Sequence, residues 1–115
     1  MDDEMADARK GALTLEARVT FLELSDGRPP LRFCTDYRSS HASFAGLAPI
    51  ECLAVFRLFE RDCLTPGESR LAEVWVNGPA DMDKTLRVGG VFHLLELGRR
   101  IVDGTITRIV SYQRL

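Results

Sequence analysis

Long apolar runs and an excess of basic charge are missing from this sequence, and cysteine and histidine are scarce. No run reaches the ~18 apolar residues that a membrane-spanning helix requires, so we expect no membrane segment. The first residues, MDDEMADARK, precede no apolar stretch. This argues against a secretory signal and favours a cytoplasmic protein. The motif G-x-x-x-x-G-K-[ST] is absent from the sequence, so we expect no bound nucleotide.

The charge balance does not indicate a general nucleic-acid binder. The chain has 115 residues and a formal net charge of −2. The acidic excess lies in residues 1–12, and the remainder is neutral. Because nucleic-acid binders normally carry a basic excess, only a local RNA contact is left open. Residues 1–12 have little apolar content, and we expect a flexible acidic leader there.

The few cysteines and histidines do not form a recognisable metal site. Cys34, Cys52 and Cys63 lack the close paired spacing of zinc ligands, and there are only two histidines. The odd number of cysteines, without a secretory signal, argues against a disulfide framework. We therefore expect three buried free thiols, no metal and no cofactor.

Period-two alternation of apolar residues is the strongest structural signal. We predict a first strand at 15–24, half-buried from Leu15 to Phe21, where every second side chain is apolar and polar residues lie between them. We predict further strands at 31–36, 41–47, 70–77, 91–97 and 105–112. We predict turns at Asp26-Gly27, Pro66-Gly67 and Asn77-Gly78-Pro79, a turn or a bulge at Asp103-Gly104, a polar exposed segment at 36–40 and a polar loop at 81–87.

Residues 48–59, APIECLAVFRLF, can be read in two ways. As a strand, they would present one wholly apolar face that includes Ile50, Ala54 and Phe56. As a helix, they would begin suitably at Pro49, but Arg57 would interrupt the apolar stripe. We favour a strand. Short strands at this spacing predict an all-β barrel or sandwich.

The closing segment, 92–110, resembles part of a known family. Phe92, Glu96, Gly98, Arg99 and Gly104 fall at the spacing found in the C-terminal β-barrel domain of elongation factor Tu and related translation GTPases. The resemblance extends more loosely over residues 13–112. It includes Pro66-Gly67-Glu68, Met82, the strand 15–24, Gly27-Arg28 and Tyr37-Arg38. It implies a small closed six-stranded antiparallel β-barrel formed by residues 13–115.

The sequence departs from that family at several positions. Pro29 follows Arg28 where the family has histidine, Ser39-Ser40 replaces Pro-Gln, and Leu97 stands where the family has glycine. There is no GTPase domain, so a barrel of this kind cannot hydrolyse GTP.

The resemblance also nominates binding residues. The family barrel contacts the backbone of tRNA and partner proteins, which points here to Arg28, Gly98 and Arg99 for RNA. Tyr37 and Arg38 are further candidates for contact with RNA or with a partner. Trp75 is a further candidate anchor, although we expect a loop to cover it.

From these residues we expect a non-catalytic binding module that docks on a protein partner or self-associates. An RNA-contacting module is the alternative. A cysteine-dependent enzyme is a second, weaker alternative because no local nucleophile signature surrounds any cysteine or histidine.

Overall fold

The computed structural model describes residues 10–23, 33–47, 51–59 and 63–115. The strands are β1 (Lys10–Phe21), β2 (Phe33–Cys34), β3 (Tyr37–Phe44), β4 (Glu51–Leu58), β5 (Cys63–Leu64), β6 (Ser69–Pro79), β7 (Val91–Glu96) and β8 (Arg99–Arg114), with a 3₁₀ turn at Met82–Lys84. Six of them close one antiparallel barrel in the order β1-β6-β4-β3-β7-β8, and β2 pairs with β5 in a separate two-stranded sheet.

This architecture confirms the prediction of a closed six-stranded antiparallel barrel. β1 lies between β6 and β8 and pairs with both over nearly its whole length. The segment 51–58 is a strand, which confirms the favoured reading of 48–59 over the helical one. Ala48 to Ile50 lie outside the described residues. β1 begins at Lys10, so the end of the predicted leader is part of the barrel.

The core follows from the alternation of side chains. Inward-facing positions of β1, including Leu15 and Val19, are fully buried, whereas Arg18 between them is exposed. Aromatic rings fill the interior, and the rings of Phe44 and Phe92 stack with centroids 4.7 Å apart. Each fully buried phenylalanine stabilises the fold by about 1.5 to 3 kcal/mol. The aromatic centre therefore supplies much of the barrel's packing energy.

The two ends of the barrel are covered differently. At the end near Lys10, called the lower end here, Met82 is fully buried beside Gly78 and Cys52. At the opposite, upper end, Phe33 of β2 is buried against Phe56. The polar loop predicted at 81–87 therefore contains a 3₁₀ turn with a core methionine.

Cys34 and Cys63 form a disulfide between β2 and β5. The prediction of free thiols is right for Cys52 and wrong for the other two cysteines. Sequence spacing could not reveal this bond, because β2 and β5 come together only in the folded chain. A disulfide that closes a loop over a sequence separation of 29 residues stabilises a fold by about 3 to 4 kcal/mol through the unfolded state.

Strands extend through segments that the sequence did not predict as strand. Asn77 to Pro79, predicted as a turn, continue β6 along β1, and Gly104, predicted in a turn or a bulge, lies inside β8. Residues 37–40, predicted as polar and exposed, belong to β3. Turn propensity is a local preference, and ladder formation with neighbouring strands outweighs it here.

Gly104 is required by a close approach of Phe92. The two residues pair across β7 and β8, and a Cβ built on Gly104 would lie 2.1 Å from the Phe92 ring. We expect Gly104→Ala to lower the free energy of unfolding in urea by about 1 to 3 kcal/mol, because the ring is held against Phe44 and cannot retreat. Adding Phe92→Leu should recover part of this loss.

Thr105→Ala, at the exposed neighbouring position, is the control for reduced strand propensity. If Gly104→Ala costs no more than Thr105→Ala, then the close approach of Phe92 does not constrain this position.

Candidate functional site

A cleft of about 500 Å³ opens between β3 and β7 at the upper half of the barrel. Two polar side chains of β3, Arg38 and His41, are exposed along one wall. The other wall is the end of β7 and its turn into β8. The lining residues are Arg38, Ser39, His41, Leu95, Glu96, Leu97 and Gly98.

The cleft exists because β3 and β7 stop pairing halfway along their length. Their ladder covers only Ala42 to Phe44 opposite Phe92 to Leu94, although β3 begins at Tyr37 and β7 continues to Glu96. We call the unpaired upper part the seam.

Irregularities in both strands lie at the level where the seam begins. The register of β3 with β4 shifts between Ser39 and Ala42, and the register of β7 with β8 shifts between Leu94 and Leu95. Bulges of this kind bend a strand and increase its twist. The backbone N–H of His41 donates to Ser39 Oγ across the bulge (3.2 Å), and Ser39 is only 3% exposed. A hydrogen bond to a buried hydroxyl therefore stabilises the bend in β3.

One hydrogen bond spans the top of the seam. The hydroxyl of Tyr37 on β3 donates to the Glu96 carboxylate on β7. Burial raises the pKa of Tyr37, and the bond to the Glu96 carboxylate raises it further. The phenol therefore remains protonated and keeps its donor role well above neutral pH.

The turn between β7 and β8 is strained at an apolar residue. Leu97 has φ 51° and Gly98 has φ 75°, so both central residues of this two-residue hairpin lie in the left-handed region. Glycine and asparagine adopt this conformation readily, but leucine does so at a cost of about 1 to 2 kcal/mol. Leu97 is nevertheless 80% exposed at the rim of the cleft. Backbone strain that packing does not require is often found where a residue serves function.

Four of the six predicted site residues lie in or next to the cleft. Arg38 and Gly98 line it, Tyr37 bridges its top, and Arg99 follows Gly98 in the hairpin. Arg99 is only 6% exposed, so its guanidinium faces the protein rather than solvent. Arg28 lies outside the described residues.

Trp75 lies elsewhere, on the outer face of β6 between Thr14 of β1 and Val55 of β4. It is 40% exposed, so the expectation that a loop covers it is wrong. The Arg57 guanidinium lies 5.2 Å from the centroid of its ring, and the indole N–H donates to Glu73 at 2.8 Å. Trp75 is thus fixed by polar neighbours on a wall separate from the cleft.

Sequence reasoning did not nominate several residues of the cleft. Glu96 was named only for its position in the resemblance, and its hydrogen-bond partner is Tyr37, 59 residues away. Leu97 carried a usable signal, because it stands where the family that the closing segment resembles has glycine, the residue that adopts a positive φ most readily. His41 and Leu95 carried no such signal.

The described part of the chain holds no group of three or more His, Cys, Asp and Glu side chains placed to bind a metal ion. His93 Nδ1 lies 3.6 Å from Asp103, whose carboxylate also accepts a hydrogen bond from Arg100 Nε at 2.6 Å. No helix among the described residues is long and apolar enough to cross a membrane.

Comparison with models of known protein families and with curated proteins finds no match for this chain.

The raised pKa of Tyr37 predicts a loss of stability at alkaline pH. In the unfolded chain a tyrosine releases its proton from about pH 10, whereas folded Tyr37 retains it. The unfolded state then binds fewer protons, so the free energy of unfolding falls as the pH rises above 10. We expect Tyr37→Phe to flatten this fall, as measured by urea unfolding from about pH 8 to about pH 11.

Tyr112→Phe is the matched control, because it removes the other tyrosine and leaves the bond to Glu96 in place. An alkaline fall that is equally steep in wild type and Tyr37→Phe would contradict a protonated bridge at the seam.

Proposed function

We propose that this chain is a non-catalytic binding module whose cleft accepts an extended segment of a partner protein. The observation that carries the proposal is the seam, where β3 and β7 continue side by side after their ladder has ended. Within the described residues, no strand is paired between them at this level. Strand edges of this kind bind extended peptides through backbone hydrogen bonds.

The side chains around the seam indicate what kind of segment fits. Arg38 offers an exposed cation on one wall, while Leu95 and the protruding Leu97 offer apolar contacts on the other. Glu96 is already hydrogen-bonded by Tyr37. A partner segment with an acidic residue next to an apolar residue would complement this arrangement.

The state of the cysteines supports a non-catalytic role. Cys34 and Cys63 are joined in a disulfide, and burial raises the pKa of the Cys52 thiol. A nucleophilic cysteine needs a lowered pKa and access to substrate, and Cys52 is only 1% exposed.

The resemblance to the barrel of translation GTPases belongs to the same proposal. The closed six-stranded antiparallel barrel is the architecture that this resemblance implies. We also propose that the protein is cytoplasmic.

The first test is peptide binding to the full chain, measured by fluorescence polarisation against an array of extended peptides that combine acidic and apolar residues. We expect binders, and we expect alternate backbone N-methylation of a binder to weaken it by about tenfold or more, since a methylated amide cannot donate to a strand edge. If the peptide still binds when either alternate set of its backbone amides is methylated, strand addition is not the mode of binding.

The alternatives predict other outcomes. Salt-sensitive binding of tRNA in place of peptide would favour the RNA module, although the burial of Arg99 leaves it poorly placed to contact phosphate. A molar mass by light scattering that doubles with concentration, without peptide binding, would favour self-association.

A second test separates binding from stability at one residue. Leu97→Asn places a residue that tolerates the left-handed region at a strained position. We therefore expect unfolding in urea to show equal or greater stability, by up to about 1 kcal/mol, and peptide affinity to fall by about tenfold.

Two arginine variants provide the matched comparison. Arg38→Ala removes the exposed cation of the cleft, and Arg114→Ala removes an exposed cation at the lower end of β8. We expect only the former to weaken an acidic peptide. Equal affinities for wild type, Leu97→Asn and Arg38→Ala would exclude the cleft as the binding site.

A further inference from the structure

The small sheet of β2 and β5 is joined to the barrel through very few residues. Each of its strands has two residues, and the register places Phe33 opposite Leu64 and Cys34 opposite Cys63. The disulfide therefore lies directly across the ladder. Without it, two residue pairs would have to hold two segments that are far apart in sequence.

The disulfide is less buried than the remaining thiol. Cys34 and Cys63 are both half-buried, whereas Cys52 is fully buried near the lower end of the barrel. Thiol–disulfide exchange needs access of an attacking thiolate to one of the two sulfur atoms. Of the three cysteines, the bonded pair is therefore better placed than Cys52 for such exchange.

A continuous set of contacts leads from the disulfide to the cleft. The Phe33 ring, next to Cys34, lies with its centroid 5.1 Å from that of Tyr37. Tyr37 in turn donates to Glu96 on the opposite wall of the seam. The disulfide, the buried ring and the bridge across the cleft thus lie on one short segment of chain.

The link between Cys34 and Tyr37 makes a sharp turn. Asp36 has φ 67°, a left-handed conformation that aspartate adopts more readily than most residues other than glycine. Two hydrogen bonds to β4 hold this link, from Asp36 N–H to the Phe56 carbonyl (2.6 Å) and from Leu58 N–H to Thr35 Oγ1 (3.3 Å). The link is short and joins Cys34 to Tyr37, so its conformation depends on where β2 is held.

We propose that Cys34–Cys63 is a reversible redox site that controls the upper wall of the cleft. In the oxidised protein, the disulfide holds β2 against β5, and Phe33 holds Tyr37 in its bridging position. In the reduced protein, β2 separates from β5, the link at Asp36 relaxes, and the Tyr37–Glu96 bridge opens. The consequence for partner binding rests on the function proposed above.

The chemistry requires a dithiol reductant. One thiolate of the dithiol attacks a sulfur of the Cys34–Cys63 bond and forms a mixed disulfide, and its second thiol then displaces the protein sulfur. The dithiol is oxidised to a disulfide, two electrons pass to the protein, and each cysteine sulfur takes up one proton. A disulfide oxidant of the same class reverses the step. Such reversibility suits a cytoplasmic protein, in which permanent disulfides are rare.

The test is hydrogen exchange on the full chain, followed by mass spectrometry, with and without dithiothreitol. Alkylation after quenching counts the thiols released. We expect amides of 37–39 and 95–98 to exchange on the order of tenfold faster after reduction, while amides of 71–76 in β6 keep their rates.

Three variants make the result decisive. The double variant Cys34→Ser with Cys63→Ser should match the reduced protein in seam exchange and should not respond to dithiothreitol. Cys52→Ala should respond as wild type does, because its thiol lies at the other end of the barrel. Tyr37→Phe should show fast exchange at 95–98 even when oxidised, because the bridge is absent.

Several results would overturn the proposal. Two released thiols with unchanged exchange at the seam would show that the disulfide does not control the cleft. Faster exchange throughout the barrel would show that the disulfide stabilises the whole fold and not the seam in particular. Resistance of the bond to dithiothreitol under native conditions would show that the site is not reversible.

The exchange measurement uses no peptide, so its outcome is separate from that of the binding tests. If the seam opens on reduction but no peptide binds in either state, the redox site stands and the proposed function fails. If a peptide binds equally well in both states while the seam exchanges faster, the control of partner binding is wrong.

Discussion

The stacked pair of Phe44 and Phe92 is the contact on which barrel closure depends. These residues lie at the short ladder that joins β3 to β7, and their rings bury one another 4.7 Å apart in the core. Gly104 gives the second ring its space. The lower half of the barrel is closed by apolar packing, and the strands are then free to diverge above it. The cleft is therefore a consequence of how the barrel closes.

Local patterns predicted the strands well and their connections poorly. The alternation in β1 and the apolar face of 51–58 were sufficient to predict these two strands, because alternating apolar residues indicate burial on one side of a sheet. Asp103-Gly104 and Asn77-Gly78 carry the chemistry of turns, yet both lie in strands. Their glycines make room for Phe92 in one case and for Cys52 and Met82 in the other. Such requirements come from residues distant along the chain, which a local pattern cannot record.

The candidate site could be predicted only in part, and for the same reason. The resemblance to a known barrel supplied Tyr37, Arg38, Gly98 and Arg99, but it did not supply the bond from Tyr37 to Glu96. That bond spans 59 residues, and the disulfide joins cysteines 29 apart. The odd number of cysteines pointed away from a disulfide. However, three cysteines can also form one bonded pair and leave one buried thiol, as they do here. Arg99 shows the converse, since a residue nominated for contact is buried.

Among the described residues, two that are not glycine have a positive φ, and they lie on either side of the bond across the seam. Asp36 directly precedes Tyr37, and Leu97 directly follows Glu96. The Leu97 conformation costs about 1 to 2 kcal/mol, which is comparable with what one charge-assisted hydrogen bond contributes, whereas aspartate adopts it more readily. At the seam, strain at Leu97 therefore opposes a single bond, although apolar packing holds both ends of the barrel, at Met82 below and at Phe33 above. A partner that pairs with the seam, or a reductant that frees β2, would act on the part of the fold where the free-energy difference is smallest.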